Sequence, residues 1–315
     1  MDYIRRLILF YASLIVPKVV FTYTVTVTAG QATTPKLTFA NNYPTALMDW
    51  GDGSAQSAVT SGVELNHTYA NSGTYKVQLC MSQQQLWITE IDISSDKVVG
   101  GVTPIQKFEN LTSFVGSTNA AWTQDISAWV LPASLVNFYV YSTSVSGDIS
   151  AWVLPASLVN FYVYSTSVSG DISAWVLPAS LVTFYVSSTS VSGDISAWVL
   201  PASLVTFYVY STSVSGDISA WVLPASLVYF SVSSTSVSGC PILSSMVSIQ
   251  YLLIQNIGLI QASVDLYLSR CVAREAATTY ATPTLNLSGT NAAPSAAGLT
   301  DKATLVAAGW VVTTN

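Results

Sequence analysis

Charge is scarce in this chain: Asp, Glu, Lys and Arg together make up only 8% of its 315 residues. Ten basic residues stand against 16 acidic ones, a formal charge of −6, and beyond Arg5 and Arg6 no basic cluster occurs. A surface that tracks a phosphate backbone needs such a cluster, so the sequence argues against nucleic acid as a partner. Histidine is limited to His67, which sits among hydrogen-bonding residues of a strand-rich stretch and has no nucleophile and acid in a recognisable triad pattern around it. Cysteine is limited to Cys80, Cys240 and Cys271, too few and too far apart for a disulfide framework or a C-x-x-C zinc site. No metal ligand set and no cofactor motif is expected. Long apolar runs are missing too. The longest, from Leu7 to Val16, falls well short of the roughly 20 residues a membrane helix needs.

That run follows Arg5 and Arg6 and has the outline of a secretory signal, although Asp2 dilutes the basic region and no A-x-A cleavage site follows. Residues 1–20 are a signal or membrane anchor on one reading, and an edge strand or upstream extension on the other. Half of the residues are hydrophobic, and Ser, Thr, Val and Tyr abound. Few charges with many β-branched and aromatic residues favour a β-rich chain.

From Phe21 the residues Phe21, Tyr23, Val25 and Val27 alternate with Thr22, Thr24 and Thr26, the period of a strand with one buried face. Further on come Met48-Asp49-Trp50-Gly51-Asp52-Gly53, then His67-Thr68-Tyr69 and Gly73-Thr74-Tyr75-Lys76-Val77-Gln78-Leu79. This motif set resembles a polycystic-kidney-disease (PKD) domain, an immunoglobulin-like β-sandwich, over residues 21–91. The resemblance implies a spacer or interaction module outside the cell and no catalytic role. Asp52 reads as an Asx-turn residue.

The dominant feature is an internal repeat, ISAWVLPASLVNFYVYSTSVSGD, starting at Ile126, Ile149, Ile172, Ile195 and Ile218 with a period of 23 residues. Leu135, Phe138, Val140, Thr143 and Val145 fall on the spacing LxxLxLxxNxL, and the unit resembles a leucine-rich repeat. Thr143, Thr166, Thr189, Thr212 and Thr235 stand where that family usually has Asn, and a Thr hydroxyl can do part of the Asn side chain's backbone bonding. The ends of the array are degenerate, as stack caps must be. Leu111, Phe114 and Asn119 sketch a worn repeat behind Ile88, Ile91 and Ile93, and Ile249, Leu252, Ile254 and Leu259 continue the pattern downstream. Ala262 to Ala276 reads as a helix, Thr284 to Leu287 as a strand, and Pro294 to Ala308 as a capping helix stopped by Gly309. The tail resembles the C-terminal cap of repeat proteins on bacterial surfaces and in phage or prophage tails.

The expected fold is therefore β-rich with two domains. Residues 21–91 form a sandwich with its own core, residues 92–125 an N-terminal cap and degenerate repeat, residues 126–240 five leucine-rich repeats, and residues 241–315 a degenerate repeat and C-terminal helical cap. The Trp ladder (Trp129, Trp152, Trp175, Trp198, Trp221) is expected inside the coil. The Asp ladder (Asp125, Asp148, Asp171, Asp194, Asp217) invites two readings, solvated turn caps or carboxylates bridged by calcium.

In a strand of this pattern the L positions point inward and the residues between them face outward. The outward set is Asn137, Asn160, Thr183, Thr206 and Tyr229; Tyr139, Tyr162, Tyr185, Tyr208 and Ser231; Tyr141, Tyr164, Ser187, Tyr210 and Ser233. Apart from Cys240, every difference among the five copies falls at one of these fifteen positions. Tyr with Ser, Thr and Asn is also the palette of antibody paratopes, and rows of Tyr suit stacking on sugar rings. The expectation is a non-enzymatic recognition protein that binds a glycan or protein receptor on a cell surface through this face. It would belong to a phage tail or virion, with a bacterial surface adhesin as the second choice, and its sandwich would contact other virion or surface proteins. The competing reading makes the face a set of good strand formers and the chain a structural spacer.

Overall fold

A computed structural model describes residues 18–40, 46–81, 88–94, 97–275 and 283–315. The signal-like run at residues 7–16 lies outside these. Among the described residues no helix is long and apolar enough to cross a membrane. The chain is β-rich and divides into two compact units between Ser146 and Gly147, at the end of the first 23-residue repeat.

In the first unit the alternation that starts at Phe21 produces β1 (Lys18–Val27), which buries Phe21, Tyr23, Val25 and Val27. It is followed by β2 (Ala32–Thr33), β3 (Lys36–Phe39), β4 (Ala46–Asp49), β5 (Ser57–Ala58), β6 (His67–Thr68), β7 (Gly73–Met81), β8 (Ile88–Asp92) and β9 (Val98–Gly100). Five of these form an antiparallel sheet in the order β5-β4-β7-β1-β9, and β2 pairs with β6. The Gly51 turn is tight. Its φ is +76°, and a Cβ there would collide with the backbone of Lys76, so only glycine fits.

The sheet around β8 joins this antiparallel region to the repeat pattern. β3 runs antiparallel to β8, while β8 pairs in parallel with β10 (Ser113–Val115), which pairs in parallel with β11 (Asn137–Tyr139). Phe108, well past residue 91, packs edge-on against Phe21 at 5.9 Å. Residues 21–91 are thus packed together with residues that follow them, in one compact unit. Aromatic burial runs on from β1 through Phe108 into Phe114 and Trp122, all fully buried.

The second unit is a stack of coils. Each 23-residue period gives a strand on one side, β13 (Asn160–Tyr162), β15 (Thr183–Tyr185), β17 (Thr206–Tyr208) and β19 (Tyr229–Ser231), extended by β21 (Tyr251–Leu253), β22 (Thr284–Asn286) and β23 (Val311–Thr313). All seven pair in parallel in that order. A second parallel sheet comes from the SVSGD segments, β14 (Ser167–Asp171), β16 (Ser190–Asp194), β18 (Ser213–Asp217) and β20 (Ser236–Ser238), with β12 (Ser146–Asp148) at its start.

An exact sequence period makes like residues meet one coil apart, and the core shows it. Phe161, Phe184, Phe207 and Phe230 stack face to face at 5.6–5.8 Å. Trp175, Trp198 and Trp221 meet the ladder edge-on, and each indole N–H donates to a serine carbonyl of the preceding coil, Ser150, Ser173 and Ser196 respectively. A large aromatic can be buried there because its polar N–H is satisfied. Ser180, Ser203 and Ser226 donate to two carbonyls of the coil before, which ties the turns together.

At the C-terminal end two helices follow, α1 (Gln261–Glu275) and α2 (Ala296–Ala307). Ser295 caps α2 by accepting from the Gly298 amide, and Gly309 (φ +95°) ends it. Arg270 donates to the carbonyls of Cys240 and Pro241, and Arg274 donates to that of Met246 while lying 5.2 Å from the Trp310 ring centroid. These bonds tie α1 to the backbone at the end of the fifth repeat and just beyond it.

Candidate functional site, a tyrosine face on the long parallel sheet

Register places the outward residues in columns. Asn160, Thr183, Thr206 and Tyr229 align in one, and Tyr162, Tyr185, Tyr208 and Ser231 in the next. Tyr164, Ser187, Tyr210 and Ser233 follow one Val further along each coil, a Val that points inward and is fully buried. In the first unit Asn137, Tyr139 and Tyr141 occupy the corresponding places on and just after β11, and the Tyr139 hydroxyl lies 3.5 Å from the Asn137 side chain.

The fifteen residues are not equally available. All the tyrosines are half-buried, because each leans on its neighbours, whereas Thr183, Ser187, Ser231 and Ser233 are buried. Those four contribute packing space on this face and no open contact surface. The rings of Tyr162, Tyr164, Tyr185, Tyr208, Tyr210 and Tyr229 make one continuous cluster with centroid separations of 4.0–6.4 Å. Its tightest pair, Tyr164 and Tyr185, stacks at 4.0 Å and 17°. The cluster runs past the repeats: Tyr251, which is exposed, stacks on Tyr229 at 5.4 Å. Tyr251 stands outside the fifteen positions, in the degenerate coil that follows the repeats. Its place one residue before Leu252, the continuation of the inward pattern, was the available signal.

Burial among other rings pushes the Tyr208 hydroxyl up to about 12 and that of Tyr185 higher still. Both stay protonated at any physiological pH and so can donate. None of the fifteen side chains carries an ordinary charge. The face therefore offers aromatic area with neutral donors and acceptors, and no group suited to proton transfer near neutral pH.

The Thr column behaves as a local lock. Thr166, Thr189, Thr212 and Thr235 each donate to the Val carbonyl three residues earlier in the same coil. The Asp ladder caps turns. Oδ1 of Asp125, Asp148, Asp171, Asp194 and Asp217 each accepts from the amide of the serine two residues later, at 2.8–2.9 Å. These bonds to serine hold the carboxyls below their usual value. Among the described residues no three His, Cys, Asp or Glu side chains converge as metal ligands would.

His67 in the first unit bonds Asp52 at 2.8 Å, stacks on Trp50 at 4.7 Å, and meets Tyr69 edge-on. Asp52 is pulled down to about 2: burial works against this, but bonds from Ser54 and His67 outweigh it. Its Oδ1 accepts from the Ser54 amide, the Asx-turn geometry expected of it.

No family model matches this sequence, and no curated protein proved similar to it.

Proposed function

We propose that this is a non-enzymatic recognition protein, a PKD-like module with leucine-rich repeats, which binds a receptor on a cell surface through its tyrosine face. One observation carries the proposal. Among five otherwise letter-identical copies, the substitutions within the strand fall on this single face, and Cys240 is the one change elsewhere. Drift among duplicated copies would have marked the other faces as well. Support comes from the ring cluster itself, which has large amphipathic area at small entropic cost and neutral hydrogen-bonding groups. The tyrosines already stack on one another, so the reading favours contact through ring edges and hydroxyls, with a glycan or a protein loop as ligand. The setting is a phage or prophage tail, with a bacterial adhesin as the second setting, and the PKD-like module faces other virion or surface proteins.

The test is a triple variant, Tyr162→Ser, Tyr185→Ser and Tyr208→Ser, compared with the parent for binding to a glycan array and to a panel of bacterial cells. Each cross-strand aromatic pair contributes about 0.2–1 kcal/mol to the sheet, so the fold should survive. Each lost anchor in an interface removes on the order of 2 kcal/mol, so binding should fall by several factors of ten. A triple variant that binds as the parent does would make the tyrosines sheet decoration and the chain a spacer.

A further inference from the structure

A second continuous surface exists on the second unit, and it is apolar. In each coil the segment Ala-Trp-Val-Leu-Pro-Ala turns over the stack, with the Trp inside and the Val outside. Val153, Val176 and Val199 are 81–83% exposed, and Val222 is 55% exposed. Val130 of the first unit is likewise exposed. Between successive valines runs a furrow. One is lined by Ala197, Trp198, Val199, Ala202, Ala220 and Val222, and the next, one coil back, shares Ala197 and Val199 with it.

Isolated exposed valines are ordinary, but a row of four with alanines on both sides is not. From their exposures the four valines and flanking alanines present roughly 700 Å² of apolar surface, above the about 300–600 Å² of the largest patch on a typical monomer. It is close to the about 800 Å² each partner gives to a standard interface.

We propose that this valine ridge is the interface between two copies of the chain, packed back to back around a two-fold axis. Three observations select a second copy as the occupant. The ridge carries no charge, and the indole N–H groups of Trp175, Trp198 and Trp221 are already bonded to serine carbonyls. A polar partner would gain nothing there, and water gains little. The ridge also has a period, one valine per 23-residue coil, fixed by the sequence repeat. A surface that interdigitates with it over four coils must have the same period, and a second copy has it. In an isologous pair each valine of one protomer can fill a furrow of the other. Finally, the area matches what a stable dimer needs. The arrangement would leave both tyrosine faces open, and it stands or falls separately from the recognition proposal.

The full chain is measured by sedimentation velocity from about 1 to 100 μM. The expected result is a concentration-dependent shift from 33.5 kDa to twice that mass. With −6 on each copy the dimer should tighten as salt rises, since screening removes like-charge repulsion. The double variant V176E/V199E should stay monomeric throughout with unchanged far-UV circular dichroism, because both side chains lie outside the core. The milder V176S/V199S should weaken the dimer at least tenfold while keeping the parent's melting temperature. A parent that is monomeric at 100 μM, or variants that dimerise as well as the parent, would overturn the proposal. A monomeric parent that floats with phosphatidylcholine vesicles would overturn it too and make lipid the occupant.

Discussion

The hydroxyls of Tyr185 and Tyr210 lie 2.7 Å apart on adjacent coils, and the Tyr185 ring stacks on Tyr164 of the coil before. Tyr185 thereby leans into the third column at the place where Ser187 replaces a tyrosine. Ser187 is fully buried, and its hydroxyl has no hydrogen-bond partner. A buried hydroxyl without a partner costs about 1–3 kcal/mol, so Ser187→Ala should leave stability unchanged or raise it by about 1 kcal/mol. Ser187→Tyr should do the reverse, displacing Tyr185 and abolishing the stack. Urea denaturation of the two variants checks the signs, and a destabilised Ser187→Ala would contradict this account of the column.

Ser165, Ser188, Ser211 and Ser234 sit at φ of 53–55°, in the left-handed region that costs an L residue about 1–2 kcal/mol. Asn tolerates it better, and Asn256 holds the equivalent place in the degenerate coil at φ 59°. Replacing Ser165, Ser188 and Ser211 by Asn should add roughly 0.5 kcal/mol each and raise the melting temperature. Calorimetry of the triple variant measures it.

Stability should fall at both ends of the pH scale, for opposite reasons. The folded Asp52 carboxyl, at about 2, lies below its ordinary 3.8, and the Asp ladder is lowered as well. Their stabilisation is fully present above the unfolded value and is lost as pH falls through the folded one, so the urea midpoint should drop between pH 4 and pH 2. Asp52→Asn should reduce that drop. Tyr208 titrates near 12 in the folded chain against an ordinary 10. Its contribution is complete below 10 and lost as pH rises towards 12. Tyr208→Phe should flatten that limb, read as urea midpoints at pH 9 and pH 11.

A fragment that stops at Ile91 loses β9, which pairs with β1, and Phe108, which packs on Phe21. It should not unfold cooperatively, whereas a fragment carrying residues 1–146 should. Phe108→Ala in the full chain should cost about 3–5 kcal/mol, as for any aromatic truncated in a packed core. Thermal denaturation of the three proteins compares them directly.

Much of the stack was legible in the residues. A period of 23 forces like side chains into register, so the inward places of Leu158, Phe161, Val163 and Trp175 and their copies follow from spacing alone, as does the outward side of Tyr162 and Tyr185. The cap helices follow from their own signals, Ser295 before the first turn of α2 and Gly309 after its last. Alternation along a strand says which side a residue faces, however, and not what its neighbours do above it. Only packing between coils decided that Ser187, Ser231 and Ser233 sink beneath the rings while the tyrosines stay half-buried, since that depends on how far each ring reaches sideways. The valine ridge escaped the sequence for a related reason. Val153, Val176 and Val199 lie in turns, where no period of 2 or 3.6 applies, and their direction is set by the Trp beside them taking the inside place. The continuity of the first unit's core, through Phe21 and Phe108, was hidden in the same way, because two residues 87 positions apart in the chain meet only once the strands between them have paired.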